Sequence, residues 1–173
     1  MAGMSLRMAA LGLLTQHPGS GYDLLKRFEK SMANVWPATQ SQLYGELNKL
    51  AGAGLIEASA VGPRGRKEYR TTPAGRTELH RWIIDPAGDP PERSAGLLRI
   101  FLLGQLPRDQ ARTHLLDLAD HSDGEVARLR ALEASIDWAA ADDFFGHVAL
   151  EYGLRFNTMR AEWARATVAK LNG

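Results

Sequence analysis

Cysteine is absent from all 173 residues. That removes disulfides, thiolate nucleophiles and zinc–thiolate sites together, and it fits a reducing cytoplasm, where the protein is expected to act. Long hydrophobic runs are missing as well. Nothing approaches the roughly 18 consecutive apolar residues of a membrane-spanning helix, so no membrane partner is expected. The opening MAGMSLRMAALGLL holds one arginine and lacks a clear cleavage site. It flows into a helical pattern and reads as folded chain, not as a secretory leader. There is no glycine-rich phosphate loop, no G-x-S-x-G and no carboxylate pair flanked by strands, so nothing supports catalysis or a bound cofactor. Fixed-period repeats and low-complexity tracts are not found. What remains is ordinary for a globular chain: 45% hydrophobic and 24% charged residues, enough for one good core or two small ones.

A large net charge is also lacking. The total of +1 looks poor for a nucleic-acid binder until the chain is divided. Residues 1–84 hold 11 Lys+Arg against 6 Asp+Glu, a net +5, whereas residues 85–173 hold 10 against 14, a net −4. Such asymmetry suggests a basic part that meets DNA and an acidic part that faces something else.

The stretch from Thr39 to Arg70, TQSQLYGELNKLAGAGLIEASAVGPRGRKEYR, carries the clearest signal. Thr39 and Gln42 stand three apart ahead of an apolar run, as in a capping box. At about 100° per residue Leu43, Leu47 and Leu50 share one face of the helix that follows, and they read as core. The opposite face carries Ser41, Gly45, Asn48 and Gly52, flanked by Tyr44 and Lys49. It is polar but slim, so a large molecule can approach the helix closely. Gly54 suits the left-handed position that stops a helix. Leu55 to Ala60 then alternates apolar and polar residues, Gly62-Pro63-Arg64-Gly65 turns, and Arg66 to Thr71 returns. Arg64, Arg66, Lys67 and Arg70 crowd the tip and the return strand. Each feature alone has a plain reading as a solvated helix face or a charged loop. Their contiguity points to a winged helix-turn-helix whose target is duplex DNA.

Elsewhere helices dominate. Ser5 to Gln16 places Leu6, Ala10, Leu13 and Leu14 on one side, and Pro18-Gly19 punctuates. Ser20, with Asp23 three residues on, caps a second helix from Tyr22 to about Met32. That helix buries Leu24, Leu25 and Phe28 and exposes Lys26, Arg27 and Lys30. Asn34 to Pro37 connects to the next helix, with Trp36 as its hydrophobic anchor. Thr72-Pro73 starts a helix to about Ile84 that packs Leu79, Trp82 and Ile83. DPAGDPPER, from Asp85 to Arg93, marks a module boundary. Leu97 to Leu106 is a short apolar helix. Asp109 to Ile136 carries Leu115, Leu118, Ala119, Val126, Leu129, Leu132 and Ile136, close to a coiled-coil seam that Gly124 weakens. Phe145 to Leu171 carries Phe145, Val148, Tyr152, Phe156, Met159, Trp163 and Ala166 at three- and four-residue steps. Two long helices with such wide stripes lack partner surface within one chain, which implies a second copy. The fold expected is mainly α with a small β-hairpin. Residues 1–85 form the winged helix-turn-helix, 86–93 a linker, and 94–173 a long-helix dimerisation domain.

ALGLLTQHPGSGYDLLKRFEK, Trp36, SQLYGELNKLAGAGLIE and RGRKEYRTTPAGRTELHRWI closely resemble the PadR family of bacterial transcriptional regulators. The shared residues are Gly21-Tyr22-Asp23-Leu24, Leu43-Tyr44, Leu47, Leu50, Gly54-Leu55-Ile56, Tyr69, Thr72-Pro73-Ala74-Gly75-Arg76 and Trp82. LLRIFLLGQL and ALEYGLRFNTMRAEW resemble more loosely the C-terminal domain of the branch related to virulence-gene activators, through landmarks such as Glu151, Gly153 and Trp163. The resemblance implies a homodimer embraced by its C-terminal helices and repression of a nearby operon, relieved by a small molecule or stress signal. It places Ser41, Gln42, Tyr44 and Lys49 on the DNA-reading helix, Arg64, Arg66 and Lys67 on the wing, and Tyr22 at backbone phosphate. Gly45 departs from the bulkier residue common in the family, so no base contact carries over to it.

On these readings Lys26, Lys49, Arg64, Arg66 and Lys67 neutralise phosphates. Thr39, which caps the reading helix, is counted with the DNA contacts, and Ser41, Gln42, Tyr44 and Asn48 are the candidates for base edges. Trp138, Phe144, Phe145, Tyr152, Phe156 and Trp163 put many aromatics in the acidic half. They could line an interfacial pocket for a flat aromatic effector, although their helical spacing better suits interface packing. His114, Asp117 and His121 share one helical face with Asp120 beside them, a spacing borderline metals accept. On a charged surface such residues are ordinarily solvated, and no metal site is expected. His17, His80 and His147 show no partner pattern. Two other classes stay open: a winged-helix module that binds protein, and a constitutive DNA-binding accessory factor without an effector.

Overall fold

A computed structural model describes residues 2–32, 35–59, 67–85, 93–138 and 143–172. The chain divides into two compact units, Met1–Pro91 and Glu92–Gly173. The first is built around α1 (Ala2–Gln16), which packs on every other helix of the unit and on its sheet. Leu6, Ala10, Leu13 and Leu14 are buried as the periodicity predicts, and Met8 and Leu11 are buried too. A helix that is apolar nearly all round belongs at the centre.

A capping box starts α2 (Gly21–Lys30): the Ser20 hydroxyl accepts from the Asp23 amide at 3.2 Å and the Asp23 carboxylate accepts from the Ser20 amide at 3.0 Å. Leu24 and Phe28 are buried and Leu25 is partly so. Arg27, expected in solvent, is instead half-buried, because its guanidinium donates to the carbonyls of His17 and Pro18 and ties down the turn. Trp36 also departs from expectation. It is 37% exposed, and Met32 and Ala38 do the anchoring against the core.

The Thr39–Gln42 capping box forms as predicted and opens α3 (Gln40–Gly52), with Leu43, Leu47 and Leu50 buried. Gly54 takes φ 68°, the left-handed stop. β2 (Ile56–Ser59) and β3 (Glu68–Thr71) pair antiparallel, with Ile56 opposite Thr71 and Glu57 opposite Arg70. The sheet has a third strand that the sequence did not suggest. β1 (Gly19–Ser20) pairs with β3, so the order is β1-β3-β2. The turn Gly62-Pro63-Arg64-Gly65, and with it Arg64 and Arg66, lies outside the described residues, as does the stretch 86–92. α4 (Pro73–Ile84) is capped by Thr72 and buries Gly75 and Leu79, with Trp82 packed beside them. Ile83 was expected in that face but is 62% exposed. The face centres on Gly75, Leu79 and Trp82, and Ile83 is turned about 75° from it.

In the second unit the expected helix from Leu97 to Leu106 is shorter: α5 (Ala95–Leu102) tightens into a 3-10 turn at Leu103–Gln105. α6 (Arg108–Ser135) runs through Gly124 without a break and packs along α7 (Phe144–Asn172). Contacts between Glu133 and His147, Ser122 and Arg160, and Asp123 and Arg165 make the pair antiparallel. On α6 Leu115, Ala119 and Leu129 are buried as expected, together with Ala111 and Ser122, whereas Leu118, Val126, Leu132 and Ile136 are half-buried.

The face of α7 that meets α6 is Leu150, Ala161, Ala164 and Val168. The aromatic stripe points outward, away from α6, as expected of a surface that finds no partner within one chain. Phe145, Val148, Tyr152, Phe156, Met159 and Trp163 are all exposed large hydrophobics. Small alanines bring the two backbones together, so the bulky stripe is left for another surface. A polar layer crosses the seam at Ser122, whose fully buried hydroxyl donates to the Leu118 carbonyl and accepts from Arg160 Nε at 2.8 Å. Arg160 also donates to Asn157.

Candidate nucleic-acid interface

On α3 the three leucines face the core, so about 180° away Ser41, Asn48 and Gly52 face solvent with half-buried Gly45. Thr39, Gln42 and Lys49 are also exposed. A Cβ added at Gly45 or Gly52 would meet nothing within 4 Å, so among the described residues no side chain crowds these two positions. Tyr44, read with the base contacts, is placed differently. It is half-buried against the core, and its ring lies so close to α2 that a Cβ on Gly21 would sit 2.6 Å from it. The tyrosine is a spacer between α2 and α3.

At the start of α2, Tyr22 is 47% exposed and the Lys26 ammonium stands 4.6 Å above its ring centre. Residues four apart on a helix are neighbours, and the cation–π contact joins two expected phosphate contacts into one unit. Lys67 is exposed just ahead of β3. Arg70, counted with the basic tip, is engaged across the ribbon: its Nε donates to the Glu57 carboxylate at 2.7 Å.

One residue beside this face escaped the sequence reading. Glu46 is 4% exposed, and its carboxylate accepts from Arg7 of α1 at 3.1 Å and from Lys49 at 2.7 Å. Burial would raise its pKa, but the hydrogen bonds and charges of Lys49 and Arg7 outweigh that and hold the carboxyl below its ordinary value. A carboxylate only about 60° round the helix from Leu43 was the available signal, since such a group requires a cation.

Within one chain the expected effector residues fall in two places. Phe145, Tyr152, Phe156 and Trp163 share the outward stripe of α7, with the Tyr152 and Phe156 rings stacked at 6.4 Å. Phe144 sits edge-on to Phe145. Trp138 is elsewhere. It stacks on His147 at 4.6 Å and donates to the Glu133 carbonyl, and His147 Nε2 lies 3.1 Å from the Glu133 carboxylate. His147 therefore has partners that its sequence did not reveal. Two open grooves of about 560 and 400 Å3 in this unit are lined by none of these aromatics. His114 lines the smaller beside Leu102 and Leu106. Among the described residues no helix is long and apolar enough to cross a membrane.

Comparison with known proteins agrees with this layout. Residues 10–81 match the transcriptional regulator PadR-like family, and residues 92–172 match the virulence activator alpha C-terminal family. The negative transcriptional regulator PadR of Bacillus subtilis is 29% identical over 180 residues, covering 96% of this chain and 97% of the relative. Its crystal structure with p-coumaric acid superimposes with a TM-score of 0.84 at 26% identity, covering 97% of this chain and 99% of that one. Its complex with operator DNA gives 0.78 at 26% identity, covering 96% and 99%. The Vibrio cholerae virulence activator AphA gives 0.78 at 26% identity, covering 96% and 98%.

Proposed function

The chain belongs to the PadR-like family of transcriptional regulators, with the virulence-activator type of C-terminal domain, and from that premise we propose that it is a cytoplasmic homodimeric repressor of an inverted-repeat operator. Residues 1–85 bind DNA, 86–93 link, and 94–173 dimerise and receive the signal. The observation that carries the reading is the outward face of α3, where Thr39, Ser41, Gln42, Asn48 and Lys49 are exposed around small residues. Such a face can enter a major groove about 12 Å wide. Ser41, Gln42 and Asn48 then meet base edges, while Tyr22, Lys26, Lys49, Arg64, Arg66 and Lys67 meet phosphates. Tyr44 supports the helix from behind.

Gel-shift titration against the DNA upstream of its own gene and a shuffled duplex tests this. The upstream duplex should bind at least about 1,000-fold more tightly. Asn48→Ala should cost about 1–3 kcal/mol and relax one base position, whereas Arg66→Ala should weaken all sequences alike and flatten the salt slope by about one. Equal affinity for the two duplexes removes the proposal.

The effector is proposed to be a planar aromatic acid, because the Bacillus subtilis relative is crystallised with p-coumaric acid and aromatics are dense on α7. Arg160, whose guanidinium lies 5.3 Å from the Phe156 ring centre, supplies a cation beside the stacked Tyr152 and Phe156 rings. An effector acts only if it prefers a dimer whose α3 helices no longer match the half-site spacing. Titration of aromatic acids should quench tryptophan fluorescence and release the upstream DNA. A flat response to aromatic acids and to planar cationic drugs alike rejects this role for the stripe.

A further inference from the structure

Among the buried polar residues described, Ser20, Glu46, Thr71 and Ser122, Glu46 is the charged one. It lies on the helix assigned to DNA reading. Stability alone does not call for a carboxylate there, since a buried ion pair is often no better than apolar packing of the same volume. An alanine or leucine at the margin of the Leu43, Leu47 and Leu50 face would complete the core. The charge has a second consequence. The Lys49 side chain is still 58% exposed, yet its ammonium is held on Glu46, which is itself held by Arg7 from another helix. A free lysine on an exposed helix sweeps a wide arc, because its long side chain retains most of its rotamers. This one is fixed.

We infer that Glu46 is a positioning residue for DNA recognition: its clamped carboxylate fixes Lys49 at the edge of the reading face, so that Lys49 meets phosphate in one register. The inference rests on α3 being the DNA-reading helix. An ammonium has three donors, and one spent on Glu46 leaves two for a phosphate in a set direction. The same carboxylate repels phosphates that approach out of register, lowering affinity for DNA at large. Glu46 thus trades sequence-blind attraction for discrimination, which in a genome of competing sites is the quantity that counts.

The test compares full-length wild type, Glu46→Gln, Lys49→Gln and the double variant on the upstream duplex and on a shuffled duplex across a salt series. Glu46→Gln frees Lys49. It should raise affinity for the shuffled duplex about 3- to 10-fold and steepen the salt slope by about one per copy. The preference for the upstream duplex should fall roughly tenfold. Lys49→Gln should lower that preference in the wild-type background and barely change it in the Glu46→Gln background, as coupled residues do. Arg7→Gln loosens the clamp without altering α3 and should move the preference in the same direction, which covers a Glu46 variant that folds poorly. If Glu46→Gln keeps the wild-type preference and slope, or weakens both duplexes in parallel, Glu46 is structural only and the inference fails. A wild type that shows no preference at all is a different result, because it sinks the DNA reading beneath it.

Discussion

Gly75→Ala is expected to destabilise the N-terminal unit by about 3 kcal/mol or more, at the upper end of overpacking effects. The first turn of α4 lies directly on the chain leaving α3. Thr72 donates its amide to the Leu55 carbonyl at 3.0 Å, and its hydroxyl reaches both the Gly54 and the Leu55 carbonyls while accepting from the Gly75 amide. A Cβ on Gly75 would collide with that same Leu55 carbonyl and would stand 2.8 Å from Thr71 Cγ2. Neither can retreat, because the carbonyl already holds Thr72 and the threonine is locked in the ladder opposite Ile56. Relief requires lifting α4 away, with loss of the Thr72 cap and of the Leu79 packing. Urea denaturation read by far-UV circular dichroism measures the shift. Gly45→Ala is the control: it meets nothing within 4 Å and sits inside a helix, where alanine gains about 1 kcal/mol over glycine. A Gly75→Ala midpoint equal to wild type would show that α4 does not seat as described.

The contrast between these glycines illustrates what the chain discloses by itself. Both capping boxes and the Gly54 stop were legible, because each closes within a few residues and its partners are written next to one another. β1 was not. Two residues whose pairing partners, Tyr69 and Glu68, lie about 50 positions on leave no periodic trace, and Ser20 also serves as the cap of α2. Glu46 was hidden for a similar reason: its meaning depends on Arg7, which only the packing of α1 on α3 brings near. Trp36 and Ile83 show the opposite error, in which bulk was read as burial at the ends of elements where the core is already filled. The solvent-facing residues of α3 were legible as a face, since helical period fixes which side opposes the leucines. Tyr44 stands on the flank, where period cannot tell groove from neighbouring helix, and its ring lies against the start of α2.

The same ambiguity on α7 leads to the second large expected effect. Leu150, Leu154, Asn157, Ala161, Ala164 and Val168 follow four- and three-residue steps, and so do Tyr152, Phe156, Met159 and Trp163, about 140° round the helix. A helix with two seams needs two partners, and α6 takes the small-residue one. The aromatic seam, with Tyr152 at 72% exposed and Met159 at 53%, is the surface proposed to meet a second copy. Tyr152→Asp should therefore leave the α6–α7 pair helical, since the residue points away from α6, while placing a charge in an apolar interface. By two-fold symmetry each substitution is buried twice, and an unpaired buried carboxylate costs several kcal/mol. The dimer dissociation constant should rise by about 1,000-fold or more, measured by sedimentation equilibrium. Binding to the upstream duplex should fall by a comparable factor, because one α3 alone loses the effective concentration that a linked pair supplies. Tyr152→Phe, which keeps the ring, should retain both. Should Tyr152→Asp sediment as wild type and grip the upstream duplex equally well, the aromatic seam does not join two copies, and α5 with its exposed Leu97, Leu98 and Phe101 becomes the surface to examine.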